Sequence, residues 1–304
     1  MNARRSVLNR AMPALLVLVA VTAVWGVTFV QVKDAVAVYP LFAFLALRFA
    51  IAGGTLAIPG AGRLASLGRT GAGAAVVAGG LLGAGYALQT AGLERTSVSS
   101  TGFVTGMYVV LTPVLALALY RDRLGGGAIL GVLLATAGLA LLAGVHRGSG
   151  SGDLLVLAAA AVYSLQIVLM ERFAPAYDAI AFTLVEMLTA FAGLTAVALF
   201  AGQVGMPHGS TVWGALLVTG VFASALAFLA QSWAQRRTSA TRTALAFSLE
   251  PVWAAFFGFT LAGDRLGVTA YVGCLMIMAG IVVAEPAAAS TLARLVRRPR
   301  AAAS

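Results

Sequence analysis

One long segment of this chain occurs twice. Gln231–Leu266 matches Gln89–Leu124 at a constant offset of 142 residues. Tyr86 then falls on Phe228 and Gln89 on Gln231. Arg95-Thr96-Ser97 falls on Arg237-Thr238-Ser239, and Asp122-Arg123-Leu124 on Asp264-Arg265-Leu266. Gly131 and Gly138 meet Gly273 and Gly280. Upstream the best offset is 138, which pairs Trp25 with Tyr163, Ala43-Phe44 with Ala181-Phe182 and Arg48 with Glu186. Both copies are strongly apolar. Two similar apolar halves, each too long to be a single helix, restrict the chain to a duplicated architecture of several membrane-crossing elements.

Ten apolar spans can be drawn, at roughly 12–32, 40–58, 72–92, 98–120, 125–145, 153–171, 178–201, 212–233, 243–263 and 267–285. Each is close to the ~20 residues needed to cross a bilayer as a helix. The chain is 61% hydrophobic and 10% charged, against about 25% charged in soluble domains. The spans lack the period-2 alternation of a β-barrel. The expected fold is therefore an all-α integral membrane protein: ten transmembrane helices as two inverted five-helix repeats. Residues 1–147 form the first repeat, 148–152 a Gly/Ser joint, 153–285 the second repeat and 286–304 a basic cytoplasmic tail. The N-terminal arginines followed by an apolar stretch look like a signal peptide. The stretch continues to about Val32, however, and is expected to remain as the first span.

Basic residues set the orientation. With the N-terminus inside, fifteen Lys and Arg lie in inner segments and four (Lys33, Arg95, Arg147 and Arg265) in outer ones. Both termini are thus expected in the cytoplasm, with the protein in the cytoplasmic membrane. An odd number of spans per half makes the halves inverted relative to each other. The net charge of +10 is accounted for by this asymmetry, so nucleic acid is not an expected partner.

Glu250 and Pro251 interrupt the ninth span. A carboxylate at that depth costs on the order of 3 kcal/mol on insertion scales. It must be protonated, paired or hydrated by a cavity. Pro251 removes a backbone donor and should kink the helix, as should Pro113 in span four. The two prolines fall in the inner half by depth and read as parts of one inner gate or as static kinks. At offset 142 the mate of Glu250 is Tyr108. Arg48 and Glu186 lie near the midplane of their spans, as an ion pair or as separately satisfied charges. Tyr86 with Gln89, and Phe228 with Gln231, share helix faces and suit either an amphipathic solute or interhelical hydrogen bonding. Gly131/Gly138 and Gly273/Gly280 pack either each other or a subunit interface, so a homodimer stays open.

Enzyme chemistry has little to stand on. The chain lacks GxxxxGK[ST], GxSxG and HExxH. Its two histidines, His146 and His208, are far apart, and its single cysteine, Cys274, lies in an apolar run. No metal or cofactor is expected.

Several motifs together resemble the EamA-type members of the drug/metabolite transporter superfamily. They are Trp25-Gly26-Val27-Thr28-Phe29, Leu47-Arg48-Phe49, the Thr-Ser starts of spans four and nine, Pro113 and Pro251, and the Asp-Arg-Leu after each. Asp122 and Asp264 stand where the family usually has Glu. The resemblance covers both halves. It implies ten helices around a central cavity and secondary transport, often export, of amino acids, other metabolites or drugs. The candidate solute-lining residues are Trp25, Thr28, Tyr86, Gln89, Tyr108, Tyr163, Gln166, Phe228, Gln231 and Glu250, with Glu250 as the candidate for proton coupling. The rival readings are a non-transporting membrane scaffold or sensor and, less supported, a lipid-modifying enzyme.

Overall fold

The computed structural model describes residues 2–96, 98–121, 124–143, 150–261 and 267–284. The described residues form helices and no strand. The first half contains α1 (Asn2–Val36), α2 (Leu41–Gly60), a 3-10 stretch (Ala61–Leu67), α3 (Gly68–Leu93), α4 (Val98–Gly106), α5 (Tyr108–Tyr120) and α6 (Gly126–Ala143). The second contains α7 (Ser151–Phe173), α8 (Ala179–Phe200), α9 (Gly209–Leu217), a π-helical segment (Val218–Leu226), α10 (Ala227–Gln235), α11 (Ala240–Phe247), α12 (Glu250–Leu261) and α13 (Val268–Ala284). The motifs Asp122-Arg123 and Asp264-Arg265-Leu266, His146 and the basic tail lie outside the described residues.

Six apolar stretches are long enough to cross a bilayer, and one of them, Leu41–Leu93, holds both α2 and α3. Gly126–Leu141 and Val268–Ala284 are shorter apolar helices. In hydrocarbon a helix satisfies its own backbone, which is why such sequences settle into helices and nothing else. The chain is a multi-pass membrane protein. Helix ends are marked by local chemistry. The Asp178 carboxylate accepts from the N–H groups of Ile180 and Ala181 at the start of α8, and Ser239 accepts from Arg242 N at the start of α11.

The repeat is visible in the packing. α3 packs on α7 and α8, and its counterpart, the π segment with α10, packs on α1 and α2. The contact between α1 and α12 has its mate in that between α7 and α5. α6 and α13 close the arrangement against each other. A Cβ on Gly131 would stand 2.6 Å from Gly280 O, one on Gly280 2.6 Å from Gly131 O, and one on Gly138 2.6 Å from Gly273 O. Gly131 meets Gly280 while Gly138 meets Gly273, so the two helices run antiparallel. These glycines therefore pack each other within one chain.

The two ends of the bundle are tied by related contacts. At one end Lys33 Nζ donates to Thr96 O at 3.0 Å, joining the end of α1 to the segment before α4. At the other, Ala240 N donates to Glu171 Oε2 at 2.9 Å, joining the end of α7 to the start of α11. Lys33 and Glu171 are mates at offset 138. Thr96 and Ser100 also donate to Asp153 Oδ1, both at 2.8 Å.

Two expected helices are broken, and the breaks differ from the expectation. Span four divides at Met107, six residues before Pro113, which sits inside the continuous helix α5. Span nine divides at Ser248 and Leu249, and Pro251 becomes the second residue of α12. A proline is well tolerated there, because first-turn N–H groups lack helical partners. Met107 and Leu249 are mates at offset 142. The breaks therefore occupy equivalent positions at offset 142, whereas Pro113 and Pro251, 138 residues apart, do not.

Candidate functional site

The broken helices meet at the centre of the bundle. Pro251 has no N–H, so the carbonyl of Phe247 four residues earlier lacks its helical donor. Tyr108 supplies one, its hydroxyl donating to Phe247 O at 2.7 Å. The same hydroxyl is 3.2 Å from Glu250 Oε2. Tyr108 and Glu250 are each the first residue after their break and are mates at offset 142. The carboxyl group that had no charged symmetry mate in the sequence is in contact with the mate that it does have.

Around this pair lies a narrow cavity of about 60 Å³, well below the roughly 300–1,000 Å³ of open small-molecule sites. All ten candidate residues line it: Trp25 and Thr28 from α1, Tyr86 and Gln89 from α3, Tyr108 from α5, Tyr163 and Gln166 from α7, Phe228 and Gln231 from α10, and Glu250 from α12. The wall is an aromatic box. The Trp25 ring packs against Phe228 at 5.5 Å and Phe247 at 4.8 Å between centroids. Tyr86 meets Tyr163 edge-on at 5.7 Å and Phe228 at 6.2 Å. Trp25 Nε1 donates to Ala223 O at 2.9 Å in the π-helical segment, so the indole is fixed at both its apolar and polar ends. At the side of Lys33 and Asp153 the lining reaches Val32 and Leu93.

The amides form two hydrogen-bonded groups. Gln89 Nε2 donates to Thr105 Oγ1 at 2.9 Å, and its Oε1 accepts from Tyr163 at 3.1 Å. Gln166 Nε2 donates to Glu186 Oε1 at 2.7 Å, and Gln231 Nε2 donates to both Gln166 Oε1 and Gln235 Oε1. Gln235 Nε2 ends the chain at Ile167 O. That backbone carbonyl can only accept, so it fixes which way each amide in turn must face. Glu186 is fully buried and serves as the terminal acceptor behind the wall.

Arg48 and Glu186 are not an ion pair. The Arg48 Nε donates to Ser224 Oγ at 2.8 Å and Nη2 to the Tyr86 hydroxyl at 3.1 Å. Its guanidinium carbon stands 4.3 Å from the Tyr86 ring centroid. Arg48 itself lines the cavity, a placement that its position nine residues into a span does not reveal. Phe247 and Thr105 also lie in the wall. A signal for each was available, since both stand three residues before a candidate, Glu250 and Tyr108. No group of three or more potential metal-ligating side chains occurs among the described residues.

The chain is similar in sequence to an uncharacterized transporter of Archaeoglobus fulgidus, at 30% identity over 66% of this chain and 64% of that protein. That match spans less than two thirds of the relative's length. The uncharacterized transporter YyaM of Bacillus subtilis is 26% identical over 66% of this chain and 68% of its own length. A crystal structure sharing 22% identity superposes with a TM-score of 0.77 over 94% of this chain and 99% of that one, and so shares the fold. The EamA-like transporter family matches residues 12–144 and again 150–284, and with both halves accounted for, the chain belongs to that family.

Proposed function

We propose that this transporter carries a small amphipathic organic solute through the central cavity by alternating access, with ten membrane crossings. Secondary active transport is the reading that a chain without a nucleotide-binding loop supports, and export is the direction that the family resemblance implies. The observation that carries the proposal is the cavity itself. It lies between two inversely related halves, its walls are aromatic and amide side chains, and its floor is built from helices broken at mated positions. Broken helices that meet at the midplane leave backbone and side-chain polar groups to line a passage. A proton held between Tyr108 and Glu250 is the proposed coupling element, since ionisable residues inside membranes commonly mark proton relays; the rival is that Glu250 only hydrogen-bonds its neighbour and supports the break before Pro251.

Flux of radiolabelled solutes into proteoliposomes, over a panel of amino acids, metabolites and cationic drugs, tests this directly. Saturable flux that depends on the protein supports a carrier. Silence across the panel is the outcome that a scaffold or sensor with this fold gives.

The gate belongs to the same proposal. Pro113 and Pro251 stand just behind the breaks at Met107 and Ser248–Leu249, and a hinge must keep its backbone partners exchangeable in order to move. Pro251→Ala would return an N–H that competes with Tyr108 for Phe247 O. Each Pro→Ala variant is expected to lower the transport rate several-fold while expression falls less. Parental rates in both would mean that the breaks are static.

Both termini are proposed to be cytoplasmic, on the fifteen-to-four distribution of Lys and Arg. Single cysteines at Val204 and at Ser66, in a Cys274→Ala background, should label from opposite sides. An impermeant maleimide applied to intact cells is expected to modify the Val204 position and spare Ser66. The opposite pattern would reverse the orientation.

A further inference from the structure

Arg48 is a permanent cation in the wall of a membrane-embedded cavity. It is 3% exposed, and no carboxylate among the described residues is within ion-pair distance of it. An arginine so placed is costly, and such residues normally pair with one another or with carbonyls. The neutral partners present leave part of the guanidinium unused. Nε is taken by Ser224 and one Nη2 hydrogen by Tyr86. The other Nη2 contact, to Ala223 O, is long at 3.4 Å, and that carbonyl already accepts from Trp25 at 2.9 Å. Nη1 has no partner among the described residues, yet it is not sealed off as a buried orphan atom. The free edge of the fork thus belongs to a side chain that borders the cavity.

The one carboxyl group in the described wall, Glu250, is hydrogen-bonded to Tyr108 and makes no ion pair with Arg48. Arginine cannot shed its charge. With Glu250 holding its proton against Tyr108, a cationic solute would face a like charge, and a neutral solute would leave that charge without a contacting counterion. A solute with an anionic group next to a ring would meet both requirements of the wall: a planar fork suited to carboxylate, and aromatic faces at Tyr86, Trp25 and Phe228.

We propose that Arg48 is the docking point for the carboxylate, or another anionic group, of an aromatic solute. This rests on the transporter reading above and adds the chemical class of the solute. Ser224 and Tyr86 act as the brackets that hold the guanidinium in place.

The test uses the purified full-length protein in nanodiscs and three probes that differ in one group: phenylacetate, phenylacetamide and phenethylammonium. Binding is read from intrinsic tryptophan fluorescence, to which Trp25 in the wall contributes, and from the shift in melting temperature. Phenylacetate is expected to bind saturably and at least about tenfold more tightly than the neutral amide, the discrimination typical of a charge-assisted fork. Phenethylammonium should bind least. Arg48→Gln should abolish the difference between acid and amide, and Arg48→Lys should retain part of it. If Arg48→Gln does not fold, the ranking of the three probes on the parental protein and on Arg48→Lys still decides. Equal or tighter binding of the amide or the ammonium probe overturns the proposal, as does unchanged preference in a folded Arg48→Gln. Flux of a neutral or cationic solute without phenylacetate binding overturns it too and leaves the transporter reading standing. Phenylacetate binding without flux of any solute supports the site and removes the transporter reading.

Discussion

Glu250→Gln is expected to give a folded protein whose transport no longer responds to pH and no longer builds a gradient. The expectation follows from counting hydrogens. Tyr108 has one hydroxyl hydrogen and two acceptors near it. Phe247 O, at 2.7 Å, has lost its helical donor to Pro251 and takes that hydrogen. The 3.2 Å contact between the Tyr108 oxygen and Glu250 Oε2 is then complete when Glu250 brings a hydrogen of its own. Movement at the breaks would part the two residues, because each begins a separate half-helix, and would change the company that the carboxyl keeps. Glutamine reproduces the shape and donates from Nε2, so the packed state survives, but it cannot release a proton. One proton per solute sustains about a tenfold accumulation for each unit of pH difference. In Glu250→Gln this should fall to simple equilibration, with counterflow exchange of the solute retained. Tyr108→Phe tests the other partner. It leaves Phe247 O without a donor in a buried place, at a cost of about 1–3 kcal/mol, and should lower stability as well as coupling. Unchanged pH dependence and undiminished accumulation in Glu250→Gln would rule out a coupling role.

The largest loss of stability is expected at the contact between α6 and α13. In Gly280→Val the new Cβ would lie 2.6 Å from Gly131 O and 3.0 Å from Ala135 N, and in Gly131→Val 2.6 Å from Gly280 O. These are backbone atoms, which cannot rotate aside, so the helices must separate and forfeit the close contact along their length. Over-packing costs about 1–3 kcal/mol at one position, and within hydrocarbon no hydrophobic drive returns the helices to each other. Each single variant should melt several degrees lower by fluorescence-detected size-exclusion chromatography, and the double variant should fail to accumulate as a monodisperse species. Gly54→Ala is the control, since a Cβ there meets nothing within 4 Å. Parental melting of Gly280→Val would show that the pair is not under this constraint.

The repeat made much of this architecture legible. A constant offset survives folding, because equivalent segments of a duplicated chain occupy equivalent places. It therefore named Tyr108 as the mate of Glu250 and Trp25 as the mate of Tyr163, residues that share one cavity wall. Shared helix faces brought Tyr86 and Gln89 to the same wall. Distances between the halves were another matter. An offset says which residues are equivalent and says nothing of how far they lie from the axis that relates them. The Gly131–Gly280 and Gly138–Gly273 contacts, which exchange under the offset, lie on either side of it, whereas Arg48 and Glu186 have separate partners. The prolines misled for a different reason. They are the visible helix breakers, but a backbone donor can be lost inside a helix that stays continuous, as at Pro113. At Met107 the local signal is Gly106, a weak one in a chain whose α3 carries several glycines inside a continuous helix.

Lys33 and Glu171 occupy equivalent places at opposite ends of the bundle, yet one is a base that donates to a carbonyl and the other an acid that accepts from an amide. If the halves were identical in sequence, exchanging their conformations would turn the molecule into its own upside-down image at no energetic cost. A carrier of that kind would spend half its time open to each side. Every departure from identity would tilt that balance, and those at the two ends most directly, because in such a cycle one end opens as the other closes. In the proposed alternating-access cycle, duplication would supply the two states, and the divergence of its copies would set the resting preference between them.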